Sequence, residues 1–324
     1  MATTYQHIAS NTRKTWGLVL LFPVVFALLS AMLIGGVLFF TGAGVEGGCS
    51  INGEPCSPVT SGLIASGFGA VVVALVSWVL ASVWMAVSYF FGDKWLLSGA
   101  GAVPVTERDF PEIYRLAENL CISRGLPVPR VFLVQDDSLN AFATGRDPKH
   151  ASLVLTTGIV KKLERAELEG VIAHELSHIE NRDIRLMLIC VAGIAFFTFA
   201  GEILVRSGGR SKKGGAPLLV IGLVFLLYGY LFAPLIRLAL SRRREYQADA
   251  SAALMTRNPA ALASALRKIS RDSRVEVLDK HSSMAAMCIA SPLEKGKAWL
   301  SNLTATHPPI TQRIAALEEM DRGF

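Results

Sequence analysis

Two histidines four residues apart, with a glutamate beside the first, form the most informative short pattern in this chain. His174-Glu175-Leu176-Ser177-His178 matches H-E-x-x-H. Residues four apart share one face of a helix, so both imidazoles can bind a single metal ion. The carboxylate of Glu175, next to the first ligand, can reach water at that metal. The pattern therefore predicts a metal-dependent hydrolytic site rather than a surface helix with two unremarkable histidines.

A catalytic zinc ion usually takes three protein ligands, so the histidines need a partner from elsewhere in the chain. The run Glu-Tyr-Gln-Ala-Asp at 245–249 offers two carboxylates on one helix face. Glu245 is the candidate ligand, and Asp249 is a candidate to orient a ligand histidine. From spacing alone, Glu245 fits a helix start that pairs with Arg242 or Arg243 on the surface equally well. Both interpretations stay open on this evidence.

Long apolar runs set the class of the protein. Of the 324 residues, 52% are hydrophobic, and the mean hydropathy is +0.43. Four runs reach the ~20 residues needed to span a bilayer: 16–40, 62–91, 186–205 and 217–240. The first is too long for the apolar core of a signal peptide. We predict an integral membrane protein with four transmembrane helices.

Charged residues beside the runs predict the orientation. Arg13 and Lys14 precede the first run, whereas the loop 41–61 contains no Lys or Arg. By the positive-inside rule, the N-terminus faces the cytoplasm and this loop faces outward. Cys49 and Cys56 lie in the loop and can form a disulfide if the compartment is oxidising.

The last two runs are harder to orient. The loop between them, 206–216, is basic and would face outward if both runs span the bilayer, against the positive-inside rule. Two full spans are favoured because each run is long enough. A re-entrant or interfacial hairpin over 185–240 remains the alternative.

The remaining segments have the composition of a soluble domain. We predict a helix that starts near Thr106, a strand at 131–134, and a hairpin of strands 140–145 and 151–156. The predicted organisation is a leader 1–15, a span 16–40, an external loop 41–61, a span 62–91, a first catalytic half 92–184, a span hairpin 185–240 and a second catalytic half 241–324.

These segments together resemble the HtpX-like family of membrane zinc metallopeptidases, related more distantly to the CAAX prenyl endopeptidases. The matching pieces are Asn140–Gly145, the H-E-x-x-H helix through Asp183, Ser241–Asp249, and Thr306–Pro309 with Arg313. The resemblance is weakest in 41–61 and 270–303. It implies a mainly α membrane protein that carries a zincin-like α+β metallopeptidase domain with a small β-sheet.

The resemblance also implies roles for individual residues at the metal. One zinc ion per subunit would be held by His174, His178 and Glu245. Glu175 would be the general base, and Asp249 and Asp183 would support the ligands.

Two further assignments concern the substrate. His307 would help to stabilise the oxyanion, although His307-Pro308 can equally cap the last helix. The segment Asn140, Ala141, Phe142 and Ala143 would be an edge strand to which an extended substrate adds by backbone hydrogen bonds, unless it is an ordinary hairpin strand.

The implied function is an endopeptidase with a cytoplasm-facing site in the bacterial inner membrane, acting on misfolded or damaged membrane proteins in a stress response. Its expected partners are unfolded or membrane polypeptides and the lipid bilayer. The net charge of +6 is modest and the basic residues cluster beside the spans, so we expect no nucleic-acid partner. The alternatives are a zinc-binding scaffold or a transporter. Glu202 and Arg237 lie near span ends and give no ion path, and a scaffold needs no Glu175.

Overall fold

A computed structural model of the chain describes residues 4–41, 50–51, 54–55, 58–210, 216–239, 242–271 and 308–322. Its helices are α1 (Thr4–Thr41), α2 (Pro58–Gly99), α3 (Pro111–Arg124), α4 (Thr157–Lys162), α5 (Arg165–Glu180), α6 (Asp183–Arg210), α7 (Ala216–Ala239), α8 (Arg242–Thr256), α9 (Pro259–Ile269) and α10 (Ile310–Asp321). Its strands are β1 (Ser50–Ile51), β2 (Glu54–Pro55), β3 (Val103–Pro104), β4 (Arg130–Val134), β5 (Ala141–Thr144) and β6 (Ser152–Thr156).

Two compact units divide the chain. One contains Met1–Thr15, Ser88–Thr198 and Leu226–Phe324, and the other contains Trp16–Val87 and Phe199–Phe225. The first unit holds the sheet and all the residues of the candidate site. In the second unit, the rings of Phe26 and Phe225 meet edge to face at 5.5 Å.

Three helical segments among the described residues are long and apolar enough to cross a membrane. They are Ile8–Ala31, Gly69–Gly99 and Asp183–Arg210. The protein is therefore an integral membrane protein. The fourth predicted span is not confirmed, because the apolar stretch described in α7, Leu218–Tyr230, is shorter than the ~20 residues that a span needs.

A mixed four-stranded sheet lies in the first unit, with strand order β3-β4-β6-β5. The predicted hairpin is confirmed, because β5 pairs antiparallel with β6 and Phe142 lies opposite Val154. Strand β4 runs parallel to β6. Strand β3, which is only two residues long, was not predicted from the sequence. Among the described strands, β5 lies at an edge of this sheet.

The start of α3 was predicted too early. The hydroxyl of Thr106 binds Asp109 at 2.7 Å in a turn that precedes the helix. The helix itself begins at Pro111, since proline lacks an N–H and its fixed φ suits the first helical position. At the other end, Gly125 takes a left-handed conformation (φ 62°) that ends the helix.

Helix α5 is the centre of the unit. It packs against α3, α8, α9 and β5. The buried side of α5 is apolar and contains Val171, Ile172, Leu176 and Ile179, which are all fully buried. At its start, the carboxylate of Glu167 accepts hydrogen bonds from the Glu164 backbone N–H, Ser264 and Lys268. These bonds tie α5 to α9.

Glu167→Gln is expected to lower the free energy of unfolding by about 1–2 kcal/mol at pH 7, because the ion pair with partly exposed Lys268 is lost. Burial alone would raise the pKa of Glu167, but the bonds from Lys268 and Ser264 lower it below its usual value. A depressed pKa stabilises the fold above the unfolded value and ceases to do so as the pH falls through the folded value. The thermal midpoints of wild type and variant should therefore begin to converge as the pH falls below about 4.5. Glu118→Gln, on the exposed side of α3, is the control; a difference from wild type that stayed constant as the pH fell below about 4.5 would contradict this account.

Candidate active site

The two histidines of α5 point their imidazoles at a common region. His174 is buried and His178 nearly so. Their Nε2 atoms lie 3.2 Å apart. The four-residue spacing thus has the effect predicted for it, since both ring nitrogens face one point beside the helix.

Glu245 reaches the same region from α8. One carboxylate oxygen lies 3.8 Å from Nε2 of His174, and the other lies 3.7 Å from Nε2 of His178. The possible ligand atoms of the three residues all lie within 4.8 Å of one another. Of the two interpretations left open by spacing, the surface pairing with Arg242 or Arg243 is excluded for Glu245, which is fully buried.

A carboxylate supports each imidazole from behind. Asp249 lies 2.9 Å from Nδ1 of His174, and Asp183 lies 3.1 Å from Nδ1 of His178. A carboxylate at Nδ1 fixes the proton there and leaves the lone pair of Nε2 for a metal. The structure therefore places the two acids named from the sequence at the Nδ1 atoms of the two histidines.

A break between α5 and α6 brings Asp183 back to His178. Helix α5 ends at Glu180, and Arg182 takes a left-handed conformation with φ 59°. This conformation is unfavourable for a residue with a side chain, and it lets α6 restart at once in a new direction. Asp183, the first residue of α6, can then reach a histidine five residues earlier.

Arg313 of α10 is a site residue that the sequence analysis quoted only as part of a matching segment. Its side chain is 1% exposed. Nε and Nη2 donate to the two oxygens of Asp249 at 2.8 and 2.7 Å, a bidentate pair. Nη1 lies 3.5 Å from the carboxylate of Glu245. Nothing in the spacing near Arg313 points to this role.

Arg244 is a second residue that was missed. It precedes Glu245 on α8, is buried, and donates from Nη1 to Asp183 at 2.9 Å. The sequence signal was ambiguous, because Arg242, Arg243 and Arg244 follow one another beside an apolar run and resemble an interfacial basic cluster.

The electrostatics of the site favour a bound cation. Burial alone would lower the pKa of His178, but the hydrogen bond to Asp183 and the charges of Glu245, Asp183 and Glu175 raise it to about 9. Burial alone would raise the pKa of Asp249, and Arg313 with His174 lowers it to about 2. Asp249 is thus ionised, and the acidic groups around the imidazoles favour positive charge between them.

Glu175 is buried beside the two histidines. Its negative charge adds to that of Asp183 and Glu245 in raising the pKa of His178, and to that of Asp249 and Glu245 in raising the pKa of Arg313. The segment expected from the sequence to bind substrate also lies close to α5. Asn140 immediately precedes β5, whose residues are all buried and which packs against α5. His307, Cys49 and Cys56 lie outside the described residues.

Comparison with known proteins decides the family. The profile of peptidase family M48 matches residues 107–321, more than half of the chain. The chain belongs to peptidase family M48. The protein is therefore a metallopeptidase, and its apolar helices make it a membrane metallopeptidase.

Relatives extend this M48 assignment along the chain. The Protease HtpX homolog of Bacteroides fragilis is 43% identical over 249 residues, covering 73% of this chain and 77% of its own. The Protease HtpX homolog of Dictyoglomus thermophilum is 35% identical over 322 residues, covering 98% of this chain and 95% of its own. The HtpX-like resemblance seen in the sequence is thereby confirmed.

Among solved structures, the crystal structure of S. mikatae Ste24p matches with a TM-score of 0.43 and 19% identity, over 72% of this chain and 58% of that one.

Family M48 implies a metal, and in the described residues His174, His178 and Glu245 form a cluster able to hold one.

Proposed function

We propose that this protein is a zinc-dependent endopeptidase whose metal, one ion per subunit, is held by His174, His178 and Glu245. The observation that carries the proposal is the meeting of two Nε2 atoms and one carboxylate within 4.8 Å. Two nitrogens and one oxygen from protein, with a further position left for water, are typical of catalytic zinc.

The charge of the cluster suits a divalent cation. Four carboxylates, those of Glu175, Asp183, Glu245 and Asp249, face two guanidinium groups, those of Arg244 and Arg313. The carboxylates outnumber the guanidinium groups, and a buried excess of negative charge needs compensation such as a bound cation. Structural zinc sites usually contain cysteine sulfur, whereas this set of donors consists of two nitrogens and one oxygen.

In the proposed mechanism, His174, His178 and Glu245 would hold zinc, which would supply Lewis acidity for the scissile carbonyl and for water. Glu175 accepts the proton of the attacking water and then delivers it to the leaving amine. Asp249 and Asp183 hold the ligand histidines in the required tautomer. His307 is proposed, from the resemblance, to donate a hydrogen bond to the oxyanion.

Strand β5 is the proposed binding edge for the substrate. The Thr156 N–H donates to the carbonyl of Asn140 at 3.1 Å. Hydrogen-bonding directions alternate along an antiparallel pair, so the backbone groups of Ala141 and Ala143 point away from β6. The Ala141 N–H donates to Oδ1 of Asn140 at 2.9 Å, so the edge offers the carbonyl of Ala141 and the backbone groups of Ala143. An extended peptide can add to such an edge through its own backbone. Binding of this kind tolerates varied sequences, which supports unfolded or damaged membrane polypeptides as substrates.

Ala143→Pro tests this edge, since proline is tolerated on an edge strand where the N–H faces outward. Loss of one backbone donor is expected to reduce kcat/KM for casein about fivefold to tenfold, or ~1 kcal/mol. Zinc content should be unchanged. Ala143→Gly keeps the N–H and is the matched control. Equal kcat/KM in the proline and glycine variants would remove β5 as the binding edge.

The proposed topology has four spans and a site facing the cytoplasm of a bacterial inner membrane. Helix α7 has 24 residues, a length of about 36 Å, which suffices to cross the bilayer. The spans would separate a first catalytic half, 92–184, from a second, 241–324.

Single cysteines introduced by Ser57→Cys and Ser211→Cys should both react with an impermeant reagent that is added on the side of the membrane opposite the cytoplasm. Labelling of Ser211→Cys only from the cytoplasm would rule out the four-span arrangement.

Metal removal tests the proposed activity. Casein cleavage by the purified protein should stop after chelation and return with stoichiometric zinc. Magnesium, which prefers six oxygen ligands, should not restore it. Undiminished cleavage by protein shown to be free of metal would contradict the proposal.

A further inference from the structure

Asn11 lies in the first membrane-spanning helix, yet its side chain contacts the candidate active site. Its Nδ2 donates to Oδ1 of Asp183 at 2.7 Å and to the backbone carbonyl of Asn181 at 2.8 Å. Asn11 is buried, and the hydroxyl of Thr15 donates a hydrogen bond to the backbone carbonyl of Asn11. A primary amide nitrogen carries two hydrogens, so both donors of Asn11 are used.

Asp183 is where these contacts converge. Oδ2 of Asp183 lies 3.1 Å from Nδ1 of His178, within hydrogen-bond distance. Oδ1 accepts from Asn11 and, at 2.9 Å, from Arg244. The carboxylate that orients one metal ligand is therefore itself held by donors from α1 and α8.

The bond to Asn181 adds a second constraint. Asn181 and Arg182 form the break that redirects the chain from α5 into α6, and Arg182 is in the left-handed conformation. Asn11 binds the carbonyl on one side of this break and the carboxylate on the other. It thus bridges the turn whose geometry decides where Asp183 points.

We propose that Asn11 is a positioning residue for the metal centre, acting on His178 through Asp183. The start of α1 then completes the site in addition to anchoring the chain. The inference rests on the proposed metal ligands. It requires a neutral donor at position 11, because a second carboxylate there would repel Asp183 in a site already rich in acids.

Thr12 provides a matched control. Its hydroxyl accepts a hydrogen bond from Arg185 at 2.7 Å, so it also joins α1 to α6. The contact does not involve Asp183 or Asn181. If the α1 contacts only stabilise the fold, variants at positions 11 and 12 should release zinc at similar rates. If Asn11 positions Asp183, only the variant at position 11 should release zinc faster.

The test measures zinc release from full-length protein in detergent, after loading with zinc alone, by competition with a colorimetric chelator. Asn11→Leu, close in volume but without donors, should release zinc about 10-fold faster than wild type, the lower end of the range for outer partners of metal ligands. Thr12→Val should release zinc at the wild-type rate. If leucine prevents folding, Asn11→Ala removes the same donors without added bulk.

Each result has a definite meaning. Fast release from the Asn11 variant, with a thermal midpoint for the metal-free protein like that of Thr12→Val, supports the positioning role. Wild-type release from Asn11→Leu or Asn11→Ala, or equally fast release from Thr12→Val, overturns it. A wild-type protein that retains no zinc would overturn the proposed metal centre itself, which distinguishes that failure from a failure at Asn11.

Discussion

Glu175→Gln is expected to lower kcat for casein by a factor on the order of 10²–10⁴ while zinc stays bound. Glutamine is close to glutamate in shape, but it cannot accept the proton of the attacking water. Glu175 is buried beside the histidines and is not among the three proposed ligands. Catalysis should therefore be lost without loss of the metal. Turnover and zinc content would be measured on the same preparation.

Glu169→Gln is the matched control for this experiment. It makes the same change on the same helix, at a partly exposed position. Its kcat should equal that of wild type. Cleavage by Glu175→Gln at the wild-type rate would exclude Glu175 as the general base, and loss of zinc in that variant would assign it to metal binding.

Arg313→Met should destabilise the protein by about 3–5 kcal/mol, because removing one partner of a buried ion pair leaves the other charge uncompensated. Arg313 is 1% exposed and binds both oxygens of Asp249. Asp249 would lose its orientation together with its counter-ion, so His174 would no longer be fixed. We expect a lower thermal midpoint of the metal-free protein and weaker zinc retention.

The double variant Arg313→Met with Asp249→Asn separates these effects. Neutralising Asp249 removes the uncompensated charge, so the double variant should be less destabilised than the sum of the single changes. Arg322→Met, at the exposed end of the same helix, should behave like wild type. Additive destabilisation in the double variant would show that Arg313 and Asp249 do not act as a pair.

Local patterns gave much of the fold around the site. The period of four in H-E-x-x-H placed both histidines on one face, and short apolar runs located β4, β5 and β6. Asn258 before Pro259 is typical of a helix start, and its side chain accepts from the Ala261 N–H at 3.0 Å at the start of α9. These features depend on residues close in sequence, which is why they could be predicted.

Contacts between distant segments could not be predicted from the sequence. Arg313 is 64 residues from Asp249, and Asn11 is 172 residues from Asp183. An arginine in an amphipathic helix or an asparagine before an apolar run has no local feature that reveals a buried partner. Helices α1 and α6 also continue beyond their apolar runs into the first unit.

The proposed ligands come from two parts of the chain. His174 and His178 precede α6, and Glu245 follows α7. The packing of α5 against α8 brings the parts together. In the proposed topology the intervening helices hold the site at the bilayer surface, where a peptidase of membrane polypeptides meets its substrates.

X-ray absorption at the zinc edge of the reconstituted protein tests the central claim most directly. We predict a first coordination shell of nitrogen and oxygen at about 2.0–2.2 Å, with the outer-shell scattering of two imidazoles. The chain contains five cysteines, so a sulfur ligand is a real alternative. A zinc–sulfur distance near 2.3 Å, or scattering from fewer than two imidazoles, would contradict a site built from His174, His178 and Glu245.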